Sequence, residues 1–282
     1  CNNCGLVYTN PRPTIDEITE YYSDEYYAHE QKNGNNILFL YLKKFLINDF
    51  TLKIFAHIPI LNSKLKLNIL PKLRYPIEKK KNMAFLDIGC GNGNNTHIWG
   101  AQHTLRSYQK VSTSLYGVEP NLHAYNQLKY LCNAYQDIDQ IPKEIKFDVI
   151  RLNWSLEHVH SPSKYFQFLY ERLRDDGRAI ICVPNIDGNI YKEDSSMLEL
   201  PIHLFHFNFQ SINNYCNKFN LCIEDHMTFS YASMYYYAST INSNFDKYRN
   251  MSLAGLLEMQ TEFDNINDLS GNDIVFKIKK NG

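Results

Sequence analysis

One stretch constrains this chain more than any other: Phe85-Leu86-Asp87-Ile88-Gly89-Cys90-Gly91-Asn92-Gly93. It reads as a short buried strand that runs into a turn with glycines at alternate positions, followed by a helix starting near 94–96. Glycine is required where backbone must take a positive φ, or where a ligand lies against main chain with no Cβ between them. The first N–H groups of the following helix have no internal partners, so they face whatever occupies the loop. A tight strand-to-helix connection would use the same residues, so the turn alone assigns no ligand.

A second short apolar strand follows at Leu115-Tyr116-Gly117-Val118 and ends in Glu119-Pro120. In a doubly wound sheet the first two strands are neighbours, and an acid ending the second can accept both hydroxyls of a ribose. The dinucleotide fingerprint spaces its glycines as Gly-x-Gly-x-x-Gly, unlike Gly89, Gly91 and Gly93. The Lys and Ser/Thr of a phosphate-binding P-loop are also missing.

Beyond Glu119 the chain alternates helix and strand signals, the pattern of a mostly parallel sheet covered on both faces. Residues 121–135 read as a helix, 147–153 as a strand and 179–184 as the next, fed by a turn at Asp175-Asp176-Gly177. Between those strands lies Asn153-Trp154-Ser155-Leu156-Glu157-His158-Val159. Ligands of open α/β sheets bind outside the carboxyl ends of the strands, so this segment should face the same crevice as the glycine turn. Residues 189–200 read as a long acidic loop on the acceptor side, 252–262 as a helix, and 273–278 as a last, alternating strand.

Length and charge set the limits. The 282 residues suffice for one large domain with an accessory part, and a net charge of −1 gives no overall electrostatic signature for nucleic acid. The seven cysteines form no even framework, which points to a reducing, cytoplasmic compartment. No apolar run approaches the ~18 residues of a membrane span. Residues 36–58 are helical in pattern and very apolar but interrupted by Lys43, Lys44, Asp49 and Lys53, and basic residues dominate up to Lys79-Lys80-Lys81. A helical lid with a solvated basic face, contact with an anionic substrate and attachment to a membrane surface all fit that pattern.

The chain opens with Cys1-Asn2-Asn3-Cys4-Gly5, half of a tetrahedral zinc site. The other five cysteines sit in apolar or loop contexts and read as buried small hydrophobes. Either the numbering begins inside a zinc ribbon whose first Cys pair lies upstream, or Cys1 and Cys4 are idle thiols. Asn10-Pro11-Arg12-Pro13 gives an extended segment. Thr14 and Glu17 then form a capping box for a helix carrying Tyr21, Tyr22, Tyr26 and Tyr27.

Jointly these motifs resemble the class I S-adenosylmethionine-dependent methyltransferases. The resemblance covers 83–222. It rests on Asp87 with the three glycines, Glu119, Phe147-Asp148-Val149-Ile150, Leu156-Glu157-His158-Val159, Pro162, Gly177, Val183-Pro184-Asn185 and Pro201-Ile202-His203-Leu204-Phe205-His206-Phe207. The opening is similar to a bacterial, zinc-ribbon-bearing subfamily of sugar and small-molecule methyltransferases. What the resemblance implies is an α/β fold: a Rossmann-like seven-stranded sheet with an antiparallel last strand, an N-terminal helical lid and a partial zinc-ribbon remnant. The parts would be 1–12 (zinc-ribbon half or extended segment), 13–82 (helical lid or accessory region) and 83–282 (methyltransferase domain).

It also implies S-adenosylmethionine as cofactor, with S-adenosylhomocysteine as product, held by Asp87, Gly89, Cys90, Gly91, Asn92, Gly93, Glu119, Pro120, Asn153, Trp154, Leu156 and His158. Tyr22, Tyr26 and Tyr27 would lean over the pocket. Zinc, if an upstream pair completes the site, would be structural at Cys1 and Cys4. The implied acceptor is a small molecule or glycan, most in keeping with a sugar or nucleotide-sugar hydroxyl, and no nucleic acid is expected as partner. A hydroxyl acceptor needs a base, for which His203, His206 and His158 are candidates and Glu157 an outsider. The rival readings are a methyltransferase fold kept for binding or scaffolding, and a nucleic-acid methyltransferase. The second lacks its Asn/Asp-Pro-Pro-Tyr/Phe motif, since Asn153-Trp154-Ser155-Leu156 stands in that place.

Overall fold

The computed structural model describes residues 1, 5–21, 66, 69, 82–93, 114–265 and 268–282. Its centre is a seven-stranded sheet of β2 (Ala84–Ile88), β3 (Ser114–Val118), β4 (Asn133–Tyr135), β5 (Phe147–Asn153), β6 (Leu173–Pro184), β8 (Leu221–Phe229) and β9 (Asp273–Lys280). The spatial order is β4-β3-β2-β5-β6-β9-β8, and β9 runs antiparallel to both of its neighbours. β1 (Val7–Tyr8) and β7 (Phe205–His206) form a separate antiparallel ribbon.

The sheet is buried on both faces, and the pleat sorts its side chains between two cores. Leu86, Ile88, Ile150, Leu152, Ile181, Val183, Phe276 and Ile278 point to one face, where Phe166 and Leu169 of the helix Pro162–Arg172 and Ile212 of the helix Phe209–Lys218 cover them. Phe166 stacks on Tyr215 there at 4.8 Å. Phe85, Leu115, Ile180, Cys182 and Val275 point to the other face, against Leu128 of the helix Leu122–Leu128. Such near-continuous apolar runs form strands because a β-branched or aromatic side chain on either face finds a packed partner.

Several elements differ from the sequence reading. The helix expected over 121–135 stops at Leu128, and 133–135 instead pair with Tyr116, Gly117 and Val118 as the edge strand. No glycine or proline marks that stop; the edge hydrogen bonds of β3 decide it. β6 starts at Leu173 rather than 179, with 174–177 bulging out of the ladder between the pairs Phe147–Leu173 and Val149–Arg178. The acidic stretch 189–200 is not an open loop but holds the short helix Asn189–Glu193 and a 3-10 turn, Ser195–Leu198. β8 escapes notice because a register shift between Ile223 and Asp225 breaks its alternation.

Between β8 and β9 the chain inserts the helices Ala232–Ile241 and Leu253–Asn265, which carry their own small cores. Gln260 ties them to the sheet, accepting from Ala232 N–H and donating to the Ser230 carbonyl, both at 3.0 Å. Of the accessory region 13–82, the Thr14–Glu17 capping box is present. Ile69 is buried against Ala232, Leu253 and Leu256. Residues 36–58 and Tyr22, Tyr26 and Tyr27 lie outside the described residues. Among the described residues no helix is long and apolar enough to cross a membrane.

Candidate active site

The glycine turn leaves β2 with Gly89, Gly91 and Gly93 all at positive φ, at 72°, 55° and 79°. A Cβ at Gly89 would sit 2.4 Å from Ser155 Cβ, so the turn can lie against the exit of β5 only with hydrogen at that position. Ser155 repays the approach by donating its hydroxyl to the Ile88 carbonyl at 2.9 Å. Cys90 and Asn92 are buried within the turn, and burial pushes the Cys90 thiol well up, so it packs there as a small apolar group.

Glu119 stands where the sequence placed it, at the end of β3. Its carboxylate accepts from Gly91 N–H at 2.8 Å and from Asn121 N–H at 2.9 Å, one on each oxygen. A carboxylate at the end of this strand, beside the glycine turn, is a group that can accept the hydroxyls of a ribose. Pro120 beside it is exposed.

Asp87 has a different environment from the one expected. Arg151, its cross-strand neighbour on β5, grips both of its oxygens, Nε to Oδ1 at 2.9 Å and Nη2 to Oδ2 at 2.5 Å. Both side chains are buried. Asp87 therefore holds the two central strands together beneath the turn. Arg151 is a site residue that the sequence reading missed. Its signal was available: one opposite charge in the interior of each of two adjacent apolar strands.

The exit of β5 carries the rest. Asn153 ends the strand with its Oδ1 buried and without a hydrogen-bond partner. Trp154 takes a positive φ of 46° and donates its indole N–H to Asp273 Oδ1 at 2.8 Å. Asp273, also missed, is buried, and desolvation raises its carboxyl to about 7. Leu156 is fully buried in the 3-10 turn Leu156–His158.

The structure brings the three candidate histidines together. His158 and His203 meet edge to face with ring centroids 4.8 Å apart, and His206 lies 6.4 Å from His203. His206 is buried, within 3.4 Å of the Thr9 hydroxyl. Burial depresses all three histidines, His158 to about 4 and His203 well below its ordinary value. Beside them Glu157 is 1% exposed, and burial raises its carboxyl well above the usual range.

The N-terminal segment clasps this group. Thr9 donates its hydroxyl to the His203 carbonyl at 2.6 Å, and the Arg12 guanidinium lies over the Phe205 ring at 5.4 Å. Cys1 is exposed, and its carbonyl accepts from Gly5 N–H at 2.9 Å; Cys4 lies outside the described residues.

An alternating-glycine turn between β2 and the crevice, an acid ending β3 and the strand order with an antiparallel β9 define a class I S-adenosylmethionine-dependent methyltransferase. Residues 61–226, more than half of the chain, match the family model described as a methyltransferase domain, and the chain belongs to that family. No curated protein gives a significant match. Among solved structures, the chain is similar to an S-adenosylmethionine-dependent methyltransferase from Mesorhizobium loti (11% identity, TM-score 0.47, 81% of this chain and 100% of that one). It is also similar to a TehB-like SAM-dependent methyltransferase from Corynebacterium glutamicum (14%, 0.42, 71% and 81%). Both likenesses are distant, and the family assignment rests on the family model and the strand order.

The residues present fit the cofactor. Gly89, Gly91 and Gly93 take left-handed backbone and place no Cβ in the turn, Glu119 ends β3 beside that turn, and Asn153 offers an orphaned buried acceptor at the strand exit.

Proposed function

We propose that this protein methylates a hydroxyl of a small, polyhydroxylated acceptor such as a sugar, a nucleotide-sugar or a glycan end. The observation that carries the reading is the character of the wall facing the β5 exit. Glu157, Glu199, His158 and His203 lie together there, a lining rich in lone pairs. Such a lining suits an acceptor that presents hydrogen-bond donors, and it is poorly matched to a carboxylate acceptor.

When bound, the cofactor supplies an electrophilic methyl group on a sulfonium, so the chain's own residues need chiefly to orient, exclude water and receive a proton. Gly89 to Gly93 would carry the cofactor's main length against bare backbone, Glu119 its ribose, and Asn153, Trp154 and Leu156 the strand-exit side. His203, buried and neutral, is the group placed to accept the hydroxyl proton, with His158 packed against its ring. The tyrosine helix would close over the pocket, and Cys1 and Cys4 would complete a structural zinc ribbon with an upstream pair.

The test is calorimetry with S-adenosylhomocysteine, followed by an acceptor panel of sugars, nucleotide-sugars and short glycans. Glu119→Ala should weaken product binding at least about tenfold, since charge-assisted hydrogen bonds of ~1.5–3 kcal/mol are lost. Unchanged affinity would remove Glu119 as the ribose ligand. Turnover confined to carboxylate or nucleic-acid acceptors would overturn the substrate class.

A further inference from the structure

At the acceptor end of the crevice Glu157, His158 and His203 each offer one donor atom, and the three atoms lie within 4.8 Å of one another. Both carboxyl oxygens of Glu157 are buried with no hydrogen-bond partner. A carboxylate taken out of water costs several kcal/mol unless a donor or a cation meets it, and no donor does here.

One of the two imidazoles is already oriented for a ligand's task. His158 donates Nδ1–H to the Ile202 carbonyl at 3.1 Å, and its Nε2 lies 3.9 Å from Glu157 Oε1. The His203 ring meets the His158 ring edge to face, with centroids 4.8 Å apart. A carbonyl on one ring nitrogen is the usual device that fixes the tautomer and direction of a metal-binding histidine. Main chain ties the two ligand-bearing segments together: Leu204 N–H donates to the Glu157 carbonyl at 2.8 Å. Glu199 Oε2, 3.6 Å from His203 Nε2, stands at the open side of the group.

We propose that Glu157, His158 and His203 bind one divalent first-row transition-metal ion, with an oxygen of solvent or acceptor completing its shell. Two imidazole nitrogens and one carboxylate oxygen are a donor set for zinc, cobalt, iron or manganese, whereas magnesium and calcium prefer oxygen throughout. Two bonds of ~2.1 Å span at most ~4.2 Å, so the observed spacing needs a closure of about half an ångström or more. The role of the ion rests on the hydroxyl-acceptor reading above: a cation here would lower the pKa of an acceptor hydroxyl, and with His203 then a ligand the proton would pass to Glu199 at the open side of the group instead. Its binding does not depend on that reading.

Cobalt(II) titration of the chelator-treated full chain tests the proposal, in a Cys1→Ser/Cys4→Ser background that removes the terminal thiols. We expect one ion per chain, with visible d–d bands and no thiolate charge-transfer band. Glu157→Gln and His203→Gln, both close in size to the native residues, should each weaken binding at least about tenfold. Circular dichroism on the same samples identifies any variant that has lost its fold, in which case the other variant decides. S-adenosylhomocysteine calorimetry on the metal-free chain reports the cofactor site separately. A folded chain that binds S-adenosylhomocysteine but takes up no stoichiometric cobalt overturns the metal site. So does cobalt uptake that is unchanged in both variants.

Discussion

At the glycine-turn end of the crevice, Asp87 is gripped by Arg151 and Glu119 accepts two backbone N–H groups, while at the acceptor end Glu157 has no hydrogen-bond partner on either oxygen. Asn153 Oδ1, the Tyr231 hydroxyl and Asn272 Nδ2 are also buried without partners. Both regions are buried and both contain carboxyl groups, yet one satisfies them internally and the other does not. Internal satisfaction makes a rigid floor that a common cofactor can use unchanged. Unsatisfied groups in a buried wall carry a cost that a ligand can remove, which is where specificity for one acceptor or one ion is expected to reside.

The comparison breaks first at Asp87. Replacing it with Ala removes the carboxylate that meets the buried Arg151 guanidinium, which should cost about 3–5 kcal/mol in chemical denaturation. A double Asp87→Leu/Arg151→Met variant should recover part of that loss, because both charges leave together. A single variant as stable as the native protein would mean that the floor is not held by this pair.

At the other end, His203→Ala should lower turnover about a hundredfold once an acceptor is identified, with product affinity within about threefold of native. Native-like turnover would dispose of His203 both as proton acceptor and as the support of one.

The pH dependence of stability separates the two ends further. Asp273, raised to about 7 by burial, keeps its proton in the folded state while an unfolded aspartate loses it near its ordinary value of 3.8. The folded state therefore binds more protons between those values, and stability should fall as pH rises from about 4 to 7. Glu157 adds in the same direction, since burial raises it as well. Asp273→Asn, which keeps an oxygen for the Trp154 indole, should flatten that slope by on the order of 4 kcal/mol across the window. Equal slopes in thermal or urea melts of the two proteins would show that Asp273 titrates normally.

The smallest expected effect concerns Glu157 itself. In the metal-free protein Glu157→Leu should raise stability by about 1 kcal/mol, since an unpaired buried carboxyl is exchanged for an apolar side chain. A loss of stability would show that the carboxyl group is already satisfied in solution.

The sequence alone determined the glycine-turn end of the sheet. Its signals are local: Gly89, Gly91 and Gly93 take positive φ because of what their own side chains lack, and Glu119 ends the strand that must neighbour β2. The Thr14 capping box is legible for the same reason, as it spans a single helical turn. The acceptor half was legible only as a set of histidines, without geometry. Glu157 and His203 are far apart in the chain, and nothing local says that their segments join through Leu204 N–H or that Thr9 holds the joint from the N-terminus. Whether a buried carboxyl group finds a partner depends on which side chains several segments bring within ~3 Å of it. Asp87 shows the same limit in reverse: its identity was readable, but its engagement by Arg151 came from the register of β2 on β5. Tertiary structure decided which charges are met, because burial and pairing belong to the packed sheet and not to any one stretch of chain.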